Sequence, residues 1–152
     1  MDLYRYLKKE HKKIDSLFDQ VASAHRSKNI ANAFSELETL LNIHADAEQA
    51  IFYKKLLGTD TAKSLSQHAI KEHKEVKSYL NKINKTDIKD KQWLIHLGEL
   101  KHAVGHHVHV EETVIFQEAK KIMSKEESDS LAQEMQEYMQ DHLDENKEVN
   151  YS

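Results

Sequence analysis

The chain has 152 residues, 39% of them apolar and 32% charged, with a formal net charge of −4. That is the size and balance of a single folded domain spanning 1–152 with a real core, and the acidic balance argues against a general nucleic-acid binder. No proline, three glycines and no cysteine exclude a β-sandwich or barrel, a Pro-rich or collagenous chain, a disulfide framework and thiolate chemistry. No apolar run approaches the roughly 18 residues of a membrane span. Met1-Asp2-Leu3-Tyr4 opens no signal peptide, so a cytoplasmic protein without membrane contact is expected. The unusual count is eleven histidines.

The first predicted helix runs from about Leu3 to His25, with Leu3, Leu7, Ile14, Leu17, Phe18 and Val21 at helical spacing and Asp2 as its N-cap. The second spans about Ile30 to Leu57 on Phe34, Leu37, Leu40, Leu41, Ile51 and Leu56, and Gly58 stops it. Thr59-Asp60-Thr61 supplies a fresh cap for a third helix, about Ala62 to Asn84, on Leu65, Ala69, Val76, Leu80 and Ile83. The fourth spans about Asp90 to Met123, on Trp93, Leu97, Leu100, Val104, Val114 and Ile115. Ser124-Lys125-Glu126-Glu127 reads as a capping box opening a fifth, more polar helix to about residue 147, with fraying expected after His142. Four long amphipathic segments with short joints give an all-α fold: an antiparallel up-down-up-down four-helix bundle over about 3–123, with an additional short C-terminal helix.

Polar residues interrupt the apolar stripes in a pattern. His11 falls between Leu7 and Ile14, and His73 between Ala69 and Val76. His44 and Glu48 continue the stripe of the second helix, and His107 and Glu111 that of the fourth, ahead of Val114. At about 1.5 Å per residue all six lie at similar height in the bundle. Two carboxylates and four imidazoles inside a small core are strongly unfavourable unless something compensates them. Imidazole nitrogen with carboxylate oxygen suits iron, manganese or zinc. Histidine and glutamate at i and i+4 share a helix face, so the histidine can bind one ion terminally while the carboxylate bridges to a second.

The residues Glu10-His11-Lys12-Lys13-Ile14-Asp15, His44-Ala45-Asp46-Ala47-Glu48 leading to Ile51-Phe52-Tyr53, Glu72-His73-Lys74-Glu75-Val76, and His107-Val108-His109-Val110-Glu111-Glu112 leading to Ile115-Phe116 resemble those of the hemerythrin-like, HHE cation-binding family. The resemblance implies two non-haem iron ions joined by an oxo or hydroxo group, held by His11, His44, His73 and His107 and bridged by Glu48 and Glu111. It implies dioxygen or another small oxidant as the partner, in storage, carriage or sensing. Oxygen-carrying hemerythrins have a second histidine four residues after the one on the third helix. Here that position is Lys77, and the one a turn earlier is Ala69. One iron then has an open position, or Glu72, His68 or His106 fills it.

Other readings compete. The same centre could turn over peroxide or nitric oxide, or handle iron, with Tyr53 or Glu72 as the acid or base. A ferritin-like carboxylate oxidase needs Glu-x-x-His on two helices, and only Glu99 to His102 fits, on the polar face. A metal-free interaction bundle would explain the six residues only through hydrogen bonding. His102, His106 and His109 read as a solvated face, and His25, His96 and His142 lie away from the cluster.

Overall fold

A computed structural model describes the backbone of residues 1–151 and the side chains of residues 1–146. The helices are α1 (Leu3–Ser23), α2 (Ser27–Ala47), α3 (Asp60–Asn84), α4 (Lys91–Val110), α5 (Phe116–Ile122) and α6 (Lys125–Tyr151). They form the all-α, up-down-up-down bundle with an added C-terminal helix. α1 pairs with α2 and α3 with α4, and α6 lies across the α1–α2 pair. The caps follow the sequence: Asp2, Thr59 and Asp90 side chains accept from Arg5, Ala62 and Gln92 backbone N–H groups, and Ser124 accepts from Glu127. The Ser128 hydroxyl accepts from the Leu3 N–H at 3.1 Å, which ties the start of α6 to the start of α1. α6 continues past His142, where fraying was expected. Among the described residues no helix is long and apolar enough to cross a membrane.

Two departures from regular helix matter for everything below. A π turn, Glu48–Phe52, followed by a 3-10 turn, Tyr53–Leu56, extends α2. A second π turn, Glu111–Ile115, joins α4 to α5. In each, the closing hydrogen bond skips a residue: the Tyr53 N–H donates to the Glu48 carbonyl, and the Phe116 N–H to the Glu111 carbonyl. Each turn therefore holds one residue more than α-helical periodicity assumes. The inward face moves on by one position. Of the two residues expected in the core stripe here, Val114 is exposed and Ile115 is buried. Ile51 is only half-buried, while Phe52 and Tyr53 are buried.

Candidate metal centre

The six polar residues of the stripes are all buried, with Glu48 and Glu111 wholly so. α1 contributes His11, α2 His44, α3 His73 and α4 His107, and each glutamate opens one of the two π turns. The structure gathers them into two groups that share Glu48. His11, His44, Glu48 and Glu111 form one, and Glu48, His73 and His107 the other, with ligand atoms in each within 4.8 Å of one another.

The distances are those of donor atoms that could share a cation. His11 Nε2 lies 3.1 Å from Glu111 Oε1, His44 Nε2 3.3 Å from Glu48 Oε1, and His73 Nε2 3.2 Å from the same oxygen. His107 Nε2 is 3.4 Å from Glu111 Oε2 and 3.7 Å from Glu48 Oε1. Two ligands bonded at about 2.1 Å to one ion stand roughly 3.0–3.4 Å apart. Moreover, His11 Nε2, His44 Nε2, both Glu48 oxygens and Glu111 Oε1 are buried without a hydrogen-bond partner. Buried polar atoms are nearly always satisfied, so five orphans converging on one space mark a place that divalent cations fit. Without a cation, the charges compensate one another. Burial disfavours the imidazolium of His11, but Glu111 beside it, with Glu48 and Glu112, outweighs burial and raises its pKa to about 9. His107 is also held well above its ordinary value, against burial, by Glu111, Glu48 and Glu72. Burial pushes Glu48 up, but His44, Glu111 and His107 bring it well below the usual carboxylate range.

The outer nitrogens show two residues that pattern reading missed, Gln49 and Glu112, and the place of one that it named, Glu72. His11 Nδ1 meets Glu112 Oε2 at 2.7 Å, His73 Nδ1 meets Gln49 Oε1 at 2.9 Å, and His107 Nδ1 meets Glu72 Oε1 at 2.9 Å. Such partners fix the ring and its tautomer, leaving Nε2 to face inward. Gln49 and Glu112 each directly follow an inner glutamate, and each backs the one inward histidine of a facing helix. Their signal in the sequence was this shared position, which could be found only by comparing the two His-x-x-x-Glu segments residue by residue. His44 Nδ1 has no such partner among the described residues.

Tyr53, a candidate acid or base in the sequence, stands beside the cluster. Its hydroxyl donates to Glu111 Oε2 and lies 3.4 Å from His107 Nε2, and its ring stacks on His73. Burial, reinforced by Glu111 and Glu48, holds its pKa well above the ordinary phenol value. The π turn brings it there: five residues after Glu48, it would leave the inner face of a regular helix. The candidates for the missing third-helix ligand lie elsewhere. Lys77 is half-exposed and pairs with Asp46 at 3.7 Å. Glu72 sits behind the His107 ring, and His68 and His106 lie outside Glu72 with exposed side chains. None of these three reaches the inner space; the group beside it is the Tyr53 phenol.

Comparison with known proteins agrees with this architecture. The profile of the Hemerythrin HHE cation binding domain matches residues 2–119. The chain belongs to the hemerythrin HHE cation-binding domain family. Among solved structures, a hemerythrin HHE cation-binding domain-containing protein from Mycobacterium kansasii superposes with a TM-score of 0.84 at 23% identity, over 93% of this chain and 87% of that one. At that identity the likeness bears on the fold alone. No curated protein matches the sequence. The HHE fold and a buried His/Glu cluster able to hold metal are thus in place.

Proposed function

We propose that His11, His44, His73 and His107 hold two iron ions, with Glu48 and Glu111 shared between them, and that a small oxidant such as dioxygen binds at an open position on the His73–His107 side. The observation that carries this reading is the set of five orphaned donor atoms on one buried space. Two iron ions bound there would supply the redox electrons for dioxygen binding. The chain supplies the rest. Glu112, Gln49 and Glu72 fix three of the imidazoles by their outer nitrogens. Leu100, Ile115 and Phe52 are buried around the cluster's helices and keep bulk water from it. Tyr53 offers a neutral O–H, a phenol donor beside the open side.

The test is total metal on the purified protein, with visible absorption of the reduced form before and after air. About two irons per chain with new bands that fade when oxygen is removed are expected for binding or sensing. Absence of iron after anaerobic reconstitution, with no loss of metal in His44→Ala or Glu111→Ala, overturns the reading and leaves a helical interaction module. A second reading, an enzyme acting on peroxide or nitric oxide, draws support from Tyr53, since turnover needs a proton donor at the reacting position. Steady consumption of peroxide, lost in Tyr53→Phe at unchanged iron content, favours that reading over carriage.

A further inference from the structure

Glu10 is a buried carboxylate outside the metal centre. It is only 3% exposed and lines a groove between α1, α2 and α6 whose walls include none of the six inner residues. Its Oε1 accepts from Lys13 Nζ at 3.3 Å, and its Oε2 is buried with no hydrogen-bond partner among the described residues. A charge-assisted bond runs at about 2.7–2.9 Å, and the Lys13 side chain is 64% exposed, so the one pairing Glu10 has is long and made from the solvent side. A buried carboxylate with a single loose partner is under-compensated. The groove has a volume of about 840 Å³, within the roughly 300–1,000 Å³ of small-molecule pockets. Its walls carry two carboxylates, Glu10 and Glu36, against one lysine, Lys13. Tyr6, one turn before Glu10, lines the same space. Burial, and then the Glu10 carboxylate, hold its phenol above the ordinary value, so the ring stands neutral beside the charge.

We propose that this groove binds an organic ammonium ion with an apolar body, its head group on Glu10. Lys13 is tethered three residues away on the same helix and reaches only Oε1. A free ammonium carries three N–H donors, so it can replace Lys13 on Oε1 and serve Oε2 as well, while Lys13 moves into solvent. The Tyr6 ring adds cation–π attraction. The body of the ligand lies along Leu17, Leu40, Met139 and Leu143, which give the groove its apolar length. Other occupants fit less well. A bare divalent ion lacks further ligands, since Glu10 belongs to neither group of converging metal donors. An anion meets two carboxylates, and a neutral apolar molecule leaves Oε2 without a partner. The site stands on its own geometry and does not depend on the inner centre holding iron.

The experiment is isothermal titration calorimetry of the full chain, at two temperatures, with n-hexylammonium, n-hexanoate and n-hexanol. These probes share a chain and differ in head-group charge. Hexylammonium is expected to bind saturably and at least about tenfold more tightly than either of the others. Glu10→Gln keeps the shape and removes the charge, and should weaken hexylammonium by at least about tenfold. Lys13→Met removes the competing ammonium, and should tighten hexylammonium by about tenfold. Equal affinity for hexylammonium and hexanol overturns the proposal, because the groove would then read only the apolar chain. So does equal affinity in wild type and Glu10→Gln, or the absence of saturable binding at both temperatures. Lys13 is exposed, so Lys13→Met is expected to unfold thermally as wild type does. Should Glu10→Gln fail to fold, Lys13→Met decides alone, and an affinity unchanged or weakened in it overturns the proposal.

Discussion

The two halves of the candidate centre are built on the same plan and finished differently. On the His11–His44 side, two imidazoles face two carboxylates, a set of four donors. On the His73–His107 side, two imidazoles share Glu48, and the nearby Glu111 Oε2 is already engaged by the Tyr53 hydroxyl. The outer support runs the other way. Both histidines of the second half are backed, by Gln49 and Glu72, whereas in the first half only His11 is, by Glu112. Under the proposed assignment the first half is the saturated one, and the second, whose Glu111 oxygen is also engaged by the Tyr53 hydroxyl, is the one that would keep an open position for a small molecule. Catalytic and binding metals keep a position open where structural ones are closed.

Glu48 is the point where that comparison can be broken most completely. Its Oε1 lies within 3.7 Å of His44, His73 and His107. Glu48→Ala is expected to lower iron from about two ions per chain to below about 0.2, because both halves lose a ligand and three imidazoles lose their shared partner. Metal analysis of the purified variant checks this. Retention of one full ion would show that the halves do not share Glu48.

Next come the single-half variants. His44→Ala removes a ligand of the saturated half, and His107→Ala one of the open half. Each is expected to leave about one ion per chain. Only His107→Ala should abolish binding of a small probe such as azide, read by the change in visible absorption. Loss of azide binding in His44→Ala with retention in His107→Ala would move the open position to the wrong side.

These outcomes depend on residues of unequal visibility in the sequence. His11, His44, Glu48, His73, His107 and Glu111 could be read because each sits in phase with apolar neighbours in regular helix, up to the first residue of a π turn. Beyond that residue the phase is lost. Val114 was placed inward by a period that the Glu111–Ile115 turn no longer obeys, and Tyr53 could be named only as a candidate acid or base, because its place beside Glu111 comes from the Glu48–Phe52 turn. Glu72 was named from the sequence as a filler of the open position or as an acid or base, and its actual place behind His107 depends on how α3 packs against α4. No spacing within one helix reports that.

The metal-free chain sharpens the comparison through pH. His11 has its pKa raised to about 9, because Glu111, Glu48 and Glu112 outweigh burial. A histidine raised above its unfolded value of about 6.5 stabilises the fold fully below that value, and the contribution is lost as pH rises through the folded pKa. Denaturant unfolding of the metal-free protein should therefore show stability falling between about pH 6.5 and 9, by an amount on the order of a few kcal/mol. With metal bound, the cation takes the place of the proton, and this slope should vanish. A metal-free chain that gains stability over that window would show that the carboxylates do not hold His11 protonated.

Tyr53→Phe keeps the ring on His73 and removes only the hydroxyl. Glu111 Oε2 then loses its donor, at a cost of about 1–3 kcal/mol in the metal-free chain. Iron content should remain at about two, since the six inner ligands are untouched. Azide affinity should change by about tenfold if the phenol faces the open position. Unchanged affinity at full iron would detach Tyr53 from that position.

The smallest effect tests the finishing of the saturated half. Glu112 and Gln49 occupy equivalent places, one residue after an inner glutamate, and back His11 and His73 respectively. They differ in charge. A carboxylate on Nδ1–H draws the proton toward itself and makes Nε2 a stronger donor to metal, whereas an amide oxygen orients the ring with less polarisation. Glu112→Gln therefore gives the first half the support the second half has. Because the Glu112 side chain is about 29% exposed, solvent screens part of its charge, and the loss should fall near the lower end of the 10- to 100-fold range for outer partners. Competition with a chelator, followed ion by ion, should show one ion leaving about tenfold more readily and the other unmoved. Gln49→Glu should do the reverse, tightening the second ion. If both substitutions shift both ions equally, the two halves exchange charge through Glu48 and Glu111 so fully that their outer partners act on the pair and not on one side.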